Sequence, residues 1–110
     1  MSRLRILLVE DDPSLQKIMA AVLREATDGD VVVASTLIAA VTAPGPWNLI
    51  VVDRRLPDGD GLMAAKAYPD VPSVSVSAYD GADIQKPFSM RVLKRIAREK
   101  IGLESRQGDT

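Results

Sequence analysis

"LIVVDRRLPDGDG", residues 49–61, begins with four apolar residues in an unbroken run of strand length. Such a run is what a strand covered on both faces requires. It leads directly into Asp53, and the next eight residues, "RRLPDGDG", carry the arginine, proline, aspartate and glycine of a loop. A carboxylate therefore stands at the carboxyl end of a buried strand, and the rest of the chain is read outward from it.

The same design opens the chain. "RILLV" (5–9) is a second continuous apolar run, followed by Glu10, Asp11 and Asp12. Asp12 suits a helix cap and Pro13 the first helical position. Leu15, Ile18, Met19, Val22, Leu23 and Ala26 then recur at helical spacing until "DG" (28–29) breaks the pattern. "VVVA" (31–34) predicts a β-branched strand, and "STLIAAVTA" (35–43) a short helix ended by "PGP", with Trp47 as a loop anchor on the core. Beyond the central loop, "LMAAKAY" (62–68) predicts a helix of two turns stopped by Pro69, and "SVSVS" (73–77) a fourth strand. Ser89 caps a last helix with Met90, Leu93, Ile96, Ala97 and Ile101 on one face and Gly102 at its end. Residues 1–103 are expected to form one domain and 104–110 a frayed tail. Strand and helix alternate, which predicts a parallel sheet with helices on both faces. No glycine-rich loop follows the first strand, so no dinucleotide fingerprint is present.

Composition narrows the chemistry. The 110 residues are 46% hydrophobic with a net charge of −1, as in a globular domain. No apolar run approaches membrane-spanning length, and no secretory leader is visible. The absence of cysteine suits a cytoplasmic protein. The absence of histidine removes Ser-His-Asp catalysis, most zinc sites and any autophosphorylating histidine. A slightly acidic balance with no reading helix argues against nucleic acid as a partner. The basic residues of the last helix, Arg91, Lys94, Arg95, Arg98 and Lys100, read as a solvated face that complements the helix dipole.

In an open α/β sheet, ligands bind at the carboxyl ends of the strands. Glu10, Asp11 and Asp12 stand there after the first strand, Asp53 after the third, Ser77 after the fourth and Lys86 near the end of a fifth. Clustered carboxylates repel one another unless a cation joins them. An all-oxygen donor set suits a hard divalent ion such as Mg²⁺. With a lysine ready to pair with a phosphoryl oxygen, the set is equipped for phosphoryl transfer onto Asp53. Each piece alone is unremarkable: an acidic pair after a strand is most often a helix cap, and a serine at a strand end is usually solvated. The joint placement at four strand ends carries the reading.

"ILLVEDD" (6–12), "LIVVDRRLPDGDG" (49–61), "VSVSAY" (74–79) and "KPF" (86–88) together resemble the receiver domain of two-component response regulators. The resemblance implies a flavodoxin-like, doubly wound parallel sheet of strand order 2-1-3-4-5. It implies that Asp53 is the phosphoacceptor and that Mg²⁺, or Mn²⁺, is held by Asp11, by Asp53, by the backbone carbonyl of Arg55 and by Glu10 through a water. Ser77 falls at the hydroxyl switch position, Lys86 at the conserved lysine, and the Lys86–Pro87 bond is expected to be cis. Pro57 and Gly61 match the loop after the acceptor. The implied partner is a histidine kinase or a histidine phosphotransfer protein, with a downstream protein reached by contact.

The sequence also departs from that pattern. Only residues 78–85 separate Ser77 from Lys86, where a receiver has a fourth helix. The usual aromatic switch position is Asp83; Tyr79 either takes that role or covers the sheet edge. Alternation in "SVSVS" predicts a strand with one wet face, serines outward, on the side the missing helix would roof. That open sheet would invite a homodimer or a partner's helix. The expected geometry is a loop in place of the helix, a last strand of about three residues such as "DIQ" or none, and a loop that phosphorylation orders. Arg54 and Arg55 follow the acceptor directly; Arg55 either shields the acyl phosphate from water or steers an acidic donor, or is solvated charge. Two rivals stand beside the relay reading. One is a phosphorylation-independent interaction module. The other is an aspartyl-intermediate phosphatase, which would need an acid where Arg55 stands. The protein is not expected to be a free-standing enzyme.

Overall fold

The computed structural model describes residues 3–78 and 81–103. The apolar runs form β1 (Arg5–Val9), β2 (Asp30–Ala34), β3 (Leu49–Asp53), β6 (Ser73–Ser77) and β7 (Ile84–Gln85). These make one sheet in the order β2-β1-β3-β6-β7, and every pair in it is parallel. The expected five-strand order is therefore present. A separate two-residue hairpin, β4 (Arg55–Leu56) with β5 (Gly59–Asp60), occupies the stretch read as plain loop. Helices α1 (Pro13–Thr27), α2 (Leu37–Thr42), α3 (Leu62–Ala67) and α4 (Met90–Lys100) complete the domain. None of them is long and apolar enough to cross a membrane.

Because side chains alternate across a strand, the sheet has two cores. Ile6, Leu8, Leu49, Val51, Val74 and Val76 meet Met19 and Leu23 of α1 and Leu93 and Ala97 of α4 on one face. Leu7, Val9, Ile50 and Val52 meet Ala40 of α2, Ala64 of α3 and Trp47 on the other. Trp47 is the expected anchor, and the Arg5 guanidinium stacks on its ring 4.5 Å from the centroid. β2 is an edge strand, as the order 2-1-3-4-5 requires, and its Val32 and Val33 are exposed.

The helix ends follow their caps. Asp12 accepts from Ser14 N and Leu15 N, with Pro13 opening the helix. Ser89 Oγ accepts from Val92 N, and Gly102 takes the left-handed conformation after α4. On α4, Arg98 is not simply solvated: it donates to the carbonyls of Ala26 and Leu103.

Between β6 and β7 none of the described residues is helical. The chain descends after Ser77 and returns through Ile84 and Gln85, which lie beside Val76 and Ser77. The last strand is thus two residues long, within the predicted limit. The wet serine face, however, is not there. Ser73, Ser75 and Ser77 do point away from the α1/α4 core, but Ser75 and Ser77 are 8% and 3% exposed. Asp83 of the returning chain satisfies the polar groups of Ser75 that water was expected to reach. Alternation in that strand reports polar partners rather than solvent. The open sheet expected to invite a homodimer is closed at those two serines. Tyr79, Asp80 and the tail 104–110 lie outside the described residues.

Candidate functional site

Four strands deliver the predicted residues to one rim. Glu10 and Asp11 follow β1, Asp53 ends β3, Ser77 ends β6 and Lys86 follows β7. Asp53 is 6% exposed, and both of its oxygens are held. Arg55 N donates to Oδ1 at 3.0 Å, and Lys86 Nζ donates to Oδ2 at 2.9 Å. The carboxylate is thereby fixed by a backbone amide from the loop after its own strand and by an ammonium from a distant segment. The Lys86–Pro87 bond is cis.

Asp12, the third acid of the opening run, is used as the cap of α1. That leaves Glu10 and Asp11 facing Asp53, and one carboxylate oxygen from each of the three lies within 4.8 Å of the others. Glu10 is buried; its Oε2 accepts from Asp12 N at 3.1 Å, while Oε1 has no hydrogen-bond partner among the described residues and lies 3.8 Å from Lys86 Nζ. Burial, reinforced by the charge of Asp53, pushes the Glu10 carboxyl up to about 7 against the pull of Asp12 N–H and Lys86. For Lys86, burial works against the charged form, but the hydrogen bond to Asp53 and the charges of Glu10, Asp53 and Asp11 outweigh it. The ammonium is held above its ordinary range. An orphaned buried oxygen in an all-oxygen, net-negative cluster is what a hard divalent cation fits.

Next to this cluster a cleft of about 670 Å³ is lined by Arg54, Arg55, Leu56, Pro57, Gly59, Asp60 and Ser77. Arg54 pairs with Asp60 at 3.1 Å across the hairpin, so it is tied to the loop rather than to the acceptor. Arg55 contributes its backbone N–H to Asp53, while the residue is otherwise exposed. Behind Asp53 the loop makes a tight approach. Gly61 N donates to Arg54 O at 2.8 Å, and a Cβ on Gly61 would stand 2.0 Å from the Asp53 carbonyl oxygen. The glycine is required by contact, not by its dihedral angles.

Sequence reasoning missed two supporting residues. Asp58 accepts from Leu37 N at 2.7 Å and Ile38 N at 3.0 Å, capping α2 from the hairpin. Asp83 grips Ser75. Neither signal was legible locally, because each bond joins segments apart in the chain: the hairpin and α2 in one case, the two sides of the loop after β6 in the other.

The fold and its acidic rim define a CheY-like domain, and comparison with solved structures agrees. The chain is 31% identical to the non-phosphorylated HemR receiver domain from Leptospira biflexa, covering 90% of this chain and 94% of that one at a TM-score of 0.74. It is 28% identical to a CheY-like response regulator receiver domain from Methanospirillum hungatei JF-1, over 97% and 100% of the two chains, TM-score 0.77. It is also 28% identical to the receiver domain of sensor histidine kinase PA1611 from Pseudomonas aeruginosa PAO1, over 93% and 99%, TM-score 0.78. In that structure a magnesium ion is coordinated in the active-site cleft. No family profile and no curated protein matches the chain. The chain belongs to the receiver domains of two-component response regulators, and two-component signalling is the setting that this fold supports.

Proposed function

We propose that Asp53 accepts a phosphoryl group from the phosphohistidine of a histidine kinase or histidine phosphotransfer protein. A carboxylate oxygen of Asp53 forms a bond to phosphorus as the N–P bond breaks, and the electron pair of that bond returns to the imidazole nitrogen. The observation that carries the reading is the meeting of Lys86 with Asp53 at 2.9 Å beside Glu10 and Asp11. Arg55 N and Lys86 orient the acceptor before transfer. Lys86 then pairs with a phosphoryl oxygen, and the Ser77 hydroxyl stands at the adjacent strand end to hydrogen-bond the group. Glu10, Asp11 and Asp53 would hold Mg²⁺ or Mn²⁺, with the Arg55 carbonyl as the family's further ligand. When bound there, the ion would supply electrostatic stabilisation of the charge that develops on the phosphoryl oxygens.

An apolar cleft of about 360 Å³ borders Lys86, lined by Leu15, Ala78, Pro87, Phe88 and Met90, with half-exposed Ile18 on the same helix as Leu15. This is a suitable platform for the partner's helix that carries the histidine. The protein acts as a cytoplasmic relay or contact signal rather than as a free-standing enzyme. Incubation with acetyl phosphate and Mg²⁺ tests the central step. The intact protein should gain the mass of one phosphoryl group, and Asp53→Asn should gain none. An unlabelled wild-type chain would favour the phosphorylation-independent module instead.

A further inference from the structure

Asp83 lies in the stretch that replaces the crossover helix. Its N–H donates to Ser75 Oγ at 3.0 Å, and its Oδ2 accepts from Ser75 N at 2.8 Å and from Ser75 Oγ at 3.2 Å. In a longer parallel strand, a backbone carbonyl would accept an inward N–H such as that of Ser75. Here the strand has already ended, since its register runs only through Val76↔Ile84 and Ser77↔Gln85. The side chain of Asp83 takes over one step before. At the other end, Lys86 N donates to Ser77 O at 2.7 Å. Two residues of strand are a weak specification of register. A slip of one residue would shift the chain by roughly 3.3 Å and turn Lys86 to the opposite face, away from Asp53.

We infer that Asp83 is a positioning residue: its three-bond clamp on buried Ser75 sets the register of β7 and so holds the Lys86 ammonium on Asp53. The inference deepens the proposed phosphoacceptor role and rests on it. In this chain the clamp does locally what a crossover helix packed over β6 would otherwise do. Asp83 is itself exposed, so its hold comes from geometry and not from its own burial. The acids expected to bind the cation are carried by β1 and β3, whose pairing does not involve Asp83.

The test compares wild type with Asp83→Ala and Asp83→Asn in the full chain. Asparagine keeps an oxygen that can accept from Ser75 N. Phosphorylation by acetyl phosphate is followed at saturating Mg²⁺, and Mg²⁺ affinity is titrated separately. The alanine variant should lose about tenfold or more in maximal rate, as a misplaced reacting group does, with Mg²⁺ affinity not weakened, since the acids stay in place and only the competing ammonium is withdrawn. The asparagine variant should recover to within about threefold of wild type, since its main acceptor is restored. Wild-type rates in Asp83→Ala, or an equal loss in both variants, would overturn the clamp. Should Asp83→Ala fail to fold, Ser75→Ala, which deletes the hydroxyl bonds and keeps the backbone one, must show a smaller loss of the same kind, and a wild-type rate in it counts against the clamp. If the wild type itself takes no phosphoryl group, the acceptor reading fails separately. The clamp is then judged by the Asp53 carboxyl carbon resonance, which must move in Asp83→Ala and return in Asp83→Asn; an unmoved resonance overturns it.

Discussion

At the scale of single residues, the site depends on how closely the backbone can approach Asp53. Gly61 is the sharpest case. A methyl group there would collide with the Asp53 carbonyl oxygen at 2.0 Å and with Val52 Cγ2 at 2.6 Å, and both belong to the central strand and cannot yield. Gly61→Ala should therefore cost about 1–3 kcal/mol, the usual range for overpacking. It should also slow phosphorylation by displacing the acceptor. Urea unfolding and the labelling assay check the two parts, and a variant of unchanged stability would contradict the contact. Gly29 shows why such roles are hard to read from sequence. "DG" at 28–29 does end the helix, but Asp28 takes the left-handed conformation, with φ of 54°, while Gly29 is there because a Cβ would lie 2.7 Å from Leu4 O. A glycine in a sequence marks a constraint without saying whether it is a dihedral angle or a neighbour. The acids and the lysine were legible because each stands at a strand end. Asp83 was not, because its partner, Ser75, read as a solvent-facing serine.

At the scale of elements, the strands of the sheet and the helices were readable, the short α2 and α3 among them, and the β4–β5 hairpin was not. β1, β3 and α1 announce themselves by unbroken apolar runs and by the Asp12–Pro13 cap. The β4–β5 hairpin has only two residues per strand and no periodicity to reveal it. α2 spans six residues, too few to be stable alone. It is held from outside: Thr36 Oγ1 accepts from Ala39 N at 3.1 Å, Asp58 accepts from Leu37 N and Ile38 N, and Tyr68 OH donates to Ala40 O and Ala43 O. The N–H groups of Leu37 and Ile38 hold the Asp58 carboxyl below its usual range. A depressed folded-state pKa means that the stabilisation is complete above the unfolded value and disappears as the pH falls through the folded one. Asp58→Ala should lower Tm at neutral pH, and the gap to wild type should close as the pH drops below about 4. Thermal melts across an acid series would show this. A gap that stayed constant with pH would mean that the carboxylate charge plays no part in holding α2.

At the scale of the whole molecule, the domain is built around a rim that works against its own stability. Two cores close tightly on the sheet, yet Glu10 and Asp53 are buried beside Asp11 with Lys86 as the one ammonium bonded to them among the described residues. Three carboxylates outnumber that cation, and like charges at such separations oppose folding. A protein organised to bind a divalent cation pays this cost in the free state and recovers it on binding. With Mg²⁺ at about ten times its Kd, linkage gives about 1.4 kcal/mol, or a rise in Tm of roughly 5 °C for a domain of this size. Removing one acid should produce the opposite pair of effects. Asp11→Asn should raise Tm without Mg²⁺, because repulsion at the rim is relieved, and should flatten the response when Mg²⁺ is added. The two melts together separate a cation site from an acidic surface. If Asp11→Asn were less stable than wild type in the absence of Mg²⁺, or if both chains gained equally from the ion, the three carboxylates would not be acting as one charged cluster.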